Sequence, residues 1–182
     1  LIIVYFDTFS KNYPEACIAT RSVAEADLSM PHGKTFAELF KETIFGQTGQ
    51  SWKEFSKSLT DIGMVGSTLC FELCTPYNQV VVQHNESKTY LLYGKDYGLG
   101  RNWNGEFRYD SLEITASKLK VALVPVLHRG PFTIAKCLEL VNSRAGKDFE
   151  GVVACDSRFR RIKIKNAEYL ALHKITSALV TS

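Results

Sequence analysis

The chain has 182 residues, of which 45% are hydrophobic and 23% charged, with a formal net charge of +3. Such a chain buries enough apolar surface to offset its ordering entropy, which excludes intrinsic disorder. No apolar run approaches the roughly 18 residues a membrane helix needs, so no membrane partner is expected. A balance this mild permits a nucleic-acid partner without arguing for one.

Leu1 to Phe6 reads as a buried strand and Ala16 to Arg21 as a second, with the polar residues Asp7 to Pro14 as the loop between them. From Thr35 the period changes, and Phe36, Leu39, Phe40 and Ile44 fall on one helical face until Gly46-Gln47-Thr48-Gly49 breaks it. Ser51-Trp52-Lys53-Glu54 is a capping box that opens a second helix with Trp52, Phe55 and Leu59 inward. Thr68–Cys74, Gln79–Gln83 and Thr89–Gly94 are three strands of an antiparallel meander, because the turns between them are too short for a parallel crossover. Tyr97 to Tyr109 reads as a loop and Val121 to Val126 as another strand. Gly130-Pro131 opens a helix with Phe132, Ala135, Leu138 and Val141 inward, ended near Gly146. Gly151–Cys155 and Arg161–Lys165 form a last hairpin, and Ala167 onward turns helical. The predicted class is α+β, with antiparallel sheets flanked by helices, in one domain over residues 1–182.

Five cysteines, Cys17, Cys70, Cys74, Cys137 and Cys155, are scattered through apolar runs, which suits free buried thiols in a reducing cytoplasm. Cys70 and Cys74 share a face if they lie on one strand. No Cys-x-x-Cys or close His pair points to a structural zinc site. The chain begins inside an apolar run, without Met or a basic leader, and stops inside a periodic one. It therefore reads as a piece of a longer protein.

Three charged features interrupt apolar strands. Glu72 lies within Leu69-Cys70-Phe71-Glu72-Leu73-Cys74, where a carboxylate is paired, solvated or at a site. Glu150 precedes Gly151-Val152-Val153; a carboxylate there suits a hard cation such as Mg²⁺, and the glycine permits close approach to the backbone. In Arg161-Ile162-Lys163-Ile164-Lys165, alternation places Lys163 and Lys165 on one face, where two ammonium groups favour an anion such as a polyphosphate between them. Each has an ordinary explanation taken singly: a solvated face, a Glu-Gly turn, a charged edge strand.

Their order carries more than any one of them. Phe71-Glu72-Leu73, then Tyr90-Leu91-Leu92-Tyr93-Gly94-Lys95-Asp96, then Glu150-Gly151-Val152-Val153, then Lys163-Ile164-Lys165 with Tyr169 following, resembles motifs III, IIIa, IV and V of the covalent nucleotidyltransferase superfamily. The nearest resemblance is to the bacteriophage RNA ligase 1 family, whose motif Ia, Ser-Lys-Gly, falls at Thr20-Arg21-Ser22. The likeness extends from Leu1 to about Leu179, with Arg21 standing where the family has Lys. The family's nucleophile is the Lys of Lys-x-Asp-Gly, a motif absent from these residues and expected a few positions upstream of Leu1.

The resemblance implies a nucleotidyltransferase core of the ATP-grasp-like ligase type. It also implies an ATP- and Mg²⁺-dependent RNA ligase acting through lysyl-AMP and RNA-adenylate, in RNA repair in the cytoplasm of a bacterial or phage-infected cell. Carried over residue by residue, Glu72 holds the ribose, Arg21 a phosphate or ribose, and Tyr93 lines the adenine pocket. Glu150 serves Mg²⁺, while Lys163 and Lys165 neutralise the α-phosphate and the leaving pyrophosphate. Tyr169 matches an aromatic residue the family keeps near its site. The partners are RNA ends, a tRNA break being one candidate. A DNA ligase, a GTP-using capping enzyme and a non-catalytic RNA-end-binding domain are the alternatives.

Overall fold

The computed structural model describes residues 1–7, 15–27, 33–77, 81–98 and 105–180, backbone only over 177–180. Among these residues the chain is α+β, with five helices and mostly antiparallel strands. It divides into two compact units, Leu1–Cys74 with Ser87–Pro125, and Thr75–Glu86 with Val126–Ser182. No helix among the described residues is long and apolar enough to cross a membrane.

The first unit is built on one sheet. Strand β1 (Ile2–Tyr5) lies between β2 (Cys17–Thr20) and β3 (Ser67–Cys74), antiparallel to both. Strand β4 (Lys88–Asp96) pairs antiparallel with β3 along its whole length, and with β5 (Gly105–Glu106). On one face of β3 Cys70 is buried and Glu72 is exposed, while on the other Ser67, Leu69, Phe71 and Leu73 are all buried.

Two helices cover that face. Helix α1 (Phe36–Thr48) opens with a capping box in which Glu38 and Thr35 satisfy each other's backbone amides, and α2 (Trp52–Asp61) repeats the device with Ser51 and Glu54. Phe40 sets its ring edge-on to Trp52 and Phe71, at centroid separations of 6.0 and 5.3 Å. Gln47 fastens α1 to β4, because its carbonyl accepts from the amide and hydroxyl of Thr89 while its amide donates to the Thr89 carbonyl.

Several sequence expectations are corrected. Helix α1 runs through Gly46 to Thr48, since one internal glycine costs only about 1 kcal/mol against the burial of Leu39, Phe40 and Ile44. Of the strand expected over Gln79–Gln83, residues 81 and 82 bend, 83 takes no regular structure, and 78–80 lie outside the described residues. β4 takes that place directly, since its register with β3 runs unbroken in direction from Ser67 to Cys74 and leaves no room for a middle strand. Within the expected loop 97–109 a short strand, β5, forms, and 99–104 lie outside the described residues. Helix α3 (Tyr109–Leu119) follows with Leu112, Ala116 and Leu119 inward. Strand β6 (Ala122–Leu123) is shorter than expected and runs parallel to β4.

The second unit contains α4 (Ile134–Asn142), the hairpin β7 (Gly151–Cys155) and β8 (Arg161–Lys165), and α5 (Ala167–Val180). Its buried apolar cluster is Cys137, Val141 and Ile164, with Phe149 and Val152 against it. The inward face of α4 is thus Cys137 and Val141, while Phe132 and Leu138 are exposed, because the short helix starts at Ile134 under a Thr133 cap and its phase follows. All five cysteines are free, but only Cys70 and Cys137 are buried, and Cys155 is exposed.

Candidate functional site

The hairpin assembles the densest charge cluster that the motifs single out. Gly151 pairs with Lys165 and Val153 with Lys163, so the two lysines share a face and Ile164 points the other way into the apolar cluster. Glu150, one residue before β7, places its Oε1 2.7 Å from Lys163 Nζ and 3.1 Å from Lys165 Nζ. The anion expected between the lysines is therefore supplied by the chain itself. Burial of Glu150 pushes its pKa up, but the hydrogen bonds from Lys163 and Lys165 outweigh it and hold the carboxyl below its ordinary range.

Backbone geometry makes this pairing possible. Gly151 has φ 149°, and a Cβ there would run into the carbonyl oxygen of Ile164 and lie 2.8 Å from the Lys165 Cα. Only glycine lets β7 begin this close to β8. The Asn166 amide then donates to the Glu150 carbonyl at 2.8 Å, fixing the carboxylate-bearing residue beside the end of β8. The buried Asn166 side chain donates to the carbonyls of Val141 and Arg144, each at 2.8 Å, and accepts from the Tyr169 amide at 3.1 Å. One residue thus joins the end of α4, the end of β8 and the first turn of α5.

Tyr169 is buried, with its ring centroid 5.2 Å from Lys165 Nζ and 5.9 Å from the His173 ring. Burial pushes its phenol pKa up, and the negative charge of Glu150 adds to the effect. Tyr169 therefore stays a neutral aromatic wall beside Lys165, and a cation against its face is favourable.

The other sequence candidates belong to the first unit. Glu72 is exposed on the face of β3 opposite Phe71, with Tyr90 as its cross-strand partner. Ile2 pairs with both Thr20 and Phe71, so Arg21 and Glu72, each one residue further, flank Leu1 at the same end of the sheet. Arg21 is exposed. Tyr93 is half-buried opposite Cys70, past a bulge that inserts Leu92. That bulge leaves Tyr90 and Tyr93 both on the Glu72 face, with Leu91 buried on the other.

Glu150 is a fit for Mg²⁺ of a particular kind. No group of three or more His, Cys, Asp or Glu that could cage a metal occurs among the described residues. A single ionised carboxylate is nevertheless what Mg²⁺ commonly takes from protein, the remaining ligands being water and substrate phosphates. A cation on Glu150 would release both lysines to phosphate oxygens, whereas without it they share one carboxylate and the cluster keeps a net positive charge.

Sequence reasoning missed Asn166 and Asp156. Asn166 stands at the position before a helix where Asn caps well, which was a readable signal. Asp156 accepts from the amides of Arg158 and Arg160, both at 2.9 Å, and from the Arg160 side chain, folding the hairpin turn. No family model matches the chain, and no curated protein matches it either.

Proposed function

We propose that the chain is the nucleotidyltransferase core of an ATP-dependent RNA ligase, joining 5′-phosphate to 3′-hydroxyl ends. The observation that carries the reading is the Glu150–Lys163–Lys165 cluster, in which one carboxylate suited to a hard cation pairs with two ammonium groups suited to phosphate. The ordered motifs from Glu72 to Tyr169 supply the reaction class.

The chemistry is phosphoryl transfer, where positioning and charge neutralisation supply most of the catalysis. In the first step a lysine amine attacks the α-phosphorus of ATP, a nitrogen–phosphorus bond forms, and the bond to pyrophosphate breaks. Lys163 and Lys165 stabilise the charge that builds on the α-phosphate and on the departing oxygen. An oxygen of the RNA 5′-phosphate then takes the adenylyl group and frees the lysine. Finally a 3′-hydroxyl attacks the 5′-phosphorus and AMP leaves. Mg²⁺ held by Glu150 would supply charge neutralisation of the phosphate oxygens.

In the first unit, Glu72 accepts from ribose hydroxyls, Arg21 contacts a phosphate or ribose, and Tyr93 offers an aromatic surface for adenine. Arg forks bidentately where Lys would act as a point charge. The reacting lysine is outside these residues, as no Lys-x-Asp-Gly occurs in them.

The test is covalent labelling. The intact protein, incubated with Mg²⁺ and ATP labelled at the α-phosphate, is expected to acquire acid-labile, alkali-stable label. Label from GTP in its place would assign a capping reaction, and a folded intact protein that takes no label would contradict nucleotidyl transfer.

A further inference from the structure

We infer that Asn166 is a positioning residue for the phosphoryl-transfer cluster, holding the Glu150 carboxylate and the Lys165 ammonium in one arrangement, an inference that rests on the ligase reading above. Asn166 follows Lys165 directly in the chain, and its backbone N–H donates to the Glu150 carbonyl at 2.8 Å. A constraint on Asn166 is therefore a constraint on both site residues at once.

The cluster needs such a constraint. The side chains of Glu150, Lys163 and Lys165 are 39%, 56% and 33% exposed, so packing holds them little. Lysine also has many rotamers to lose. The separations of 2.7 and 3.1 Å from Glu150 Oε1 thus depend on where the backbone sets the three residues. Phosphoryl transfer is sensitive to placement on that scale.

The Asn166 side chain is anchored on both sides. It is 1% exposed. Its nitrogen donates to the carbonyls of Val141 and Arg144 at the end of α4, and its oxygen accepts from the Tyr169 amide in the first turn of α5. Helix ends leave such carbonyls and amides without partners inside the helix, so one rigid group closes the end of α4 and the start of α5. The loop after α4 is braced against the same junction, because the Ala167 amide donates to Asn142 Oδ1 and the Gly146 amide to Glu168 Oε2.

The donor count separates positioning from capping. A helix start needs only an acceptor, which Ser supplies about as well as Asn. The two donations serve a different end: they lock the β8–α5 junction, and with it Lys165 and the Glu150 carbonyl, onto α4. A serine hydroxyl has one donor and cannot make both.

The test compares Asn166→Ser and Thr133→Ala with the parent 182-residue chain. Asn166→Ser keeps a cap for α5 and gives up the paired donation. Thr133→Ala removes the cap at the far end of α4, which loosens the same unit without touching the β8–α5 junction. Two signals are read by NMR: the Glu150 carboxyl carbon during a titration with Mg²⁺ alone, and the Lys163 and Lys165 ammonium nitrogens without metal. Asn166→Ser is expected to shift the Mg²⁺ midpoint several-fold and to move the ammonium resonances toward those of unpaired lysines, with Thr133→Ala at the parent values. Parent-like signals in Asn166→Ser would overturn the inference, because the side chain would then be a cap and nothing more. An equal shift in Thr133→Ala would overturn it too, since any loosening of the unit would then suffice. Neither signal requires catalysis. If the parent Glu150 carboxyl ignores Mg²⁺, the metal assignment of the ligase reading fails and the ammonium resonances decide the positioning. If the parent joins 5′-adenylated RNA while Asn166→Ser keeps parent signals, the ligase reading stands and the positioning role is wrong.

Discussion

The sheet unit and the hairpin unit fix their candidate residues by different means. In the first, Glu72 sits on a strand whose other face buries Phe71 against Phe40, and fully buried Phe55, Leu59, Leu69 and Leu91 extend that core. The carboxylate is positioned by a rigid platform and makes few specific demands of its own. In the second, the buried apolar set is Cys137, Val141 and Ile164, and position is set by polar pins and glycine. Asn166 ties three elements, Gly151 allows the close strand, and Asp156 folds the turn. Loss of a platform contact is felt as stability across the whole unit, whereas pins fail one at a time and locally. The hairpin unit is therefore where single substitutions should uncouple geometry from global stability.

Phe40→Ala breaks the platform and has the largest expected effect. It removes a fully buried ring from contact with Trp52 and Phe71, at a cost of about 3–5 kcal/mol. Denaturant unfolding should show the loss. A change below about 1 kcal/mol would mean that the core is not packed around this residue.

Asn166→Ala comes next. Two carbonyls and one amide lose their side-chain partner, at a net cost of about 1 kcal/mol for each hydrogen bond. Amide exchange should accelerate at Tyr169 and along the hairpin while β1, β3 and β4 keep their protection. Uniform acceleration throughout both units would remove the distinction between platform and pins.

Gly151→Ala should act on the hairpin alone and cost more than ~1 kcal/mol, since the native φ and the nearby Ile164 and Lys165 backbone both oppose a Cβ. Separation of Glu150 from Lys163 and Lys165, read from the lysine ammonium resonances, is the expected signature.

The smallest effect is a pH dependence. Glu150 titrates lower in the folded chain than in the unfolded one, so its contribution is fully present above the unfolded value of about 4.3 and is lost as pH falls through the folded value. Glu38, Glu54 and Asp156 are also held low by their hydrogen bonds. The stability difference between the parent and Glu150→Gln isolates the one group. It should be flat from neutral pH to about 4.3 and shrink below it. A difference that grows on acidification would reverse the sign of the ion pair.

The sequence was most legible where one local rule decides. The Ser51–Glu54 capping box, the β1 and β3 runs and the alternation of Lys163 with Ile164 all read correctly, because capping and pleat act within a few residues. Helix α3 escaped notice although Leu112, Ala116 and Leu119 keep helical spacing, since the Gly- and Asn-rich stretch before it extended the loop reading to Tyr109. The inward face of α4 failed for another reason. Cys137 outcompetes Leu138 for the interior because the apolar cluster is formed by Ile164 and Val152 of the hairpin, a tertiary fact. Glu150, Lys163 and Lys165 were each visible as interruptions, but their contact depends on the Gly151–Lys165 register, which no local pattern encodes.

The central claim is that Glu150, Lys163 and Lys165 form a phosphoryl-transfer centre, and the final sealing step tests it without the nucleophilic lysine. A 3′-hydroxyl displaces AMP from an RNA already adenylated at its 5′ end, a step in which lysyl-AMP takes no part. The 182-residue chain should therefore join 5′-adenylated RNA to a 3′-hydroxyl acceptor with Mg²⁺ and no ATP, releasing one AMP per junction. Lys163→Ala and Lys165→Ala should each slow joining by about 10²-fold or more, near 2.7 kcal/mol of transition-state stabilisation. Glu150→Gln should shift the Mg²⁺ midpoint upward. A folded chain that binds the RNA yet releases no AMP, or one that joins it equally well without both lysines, would contradict the account.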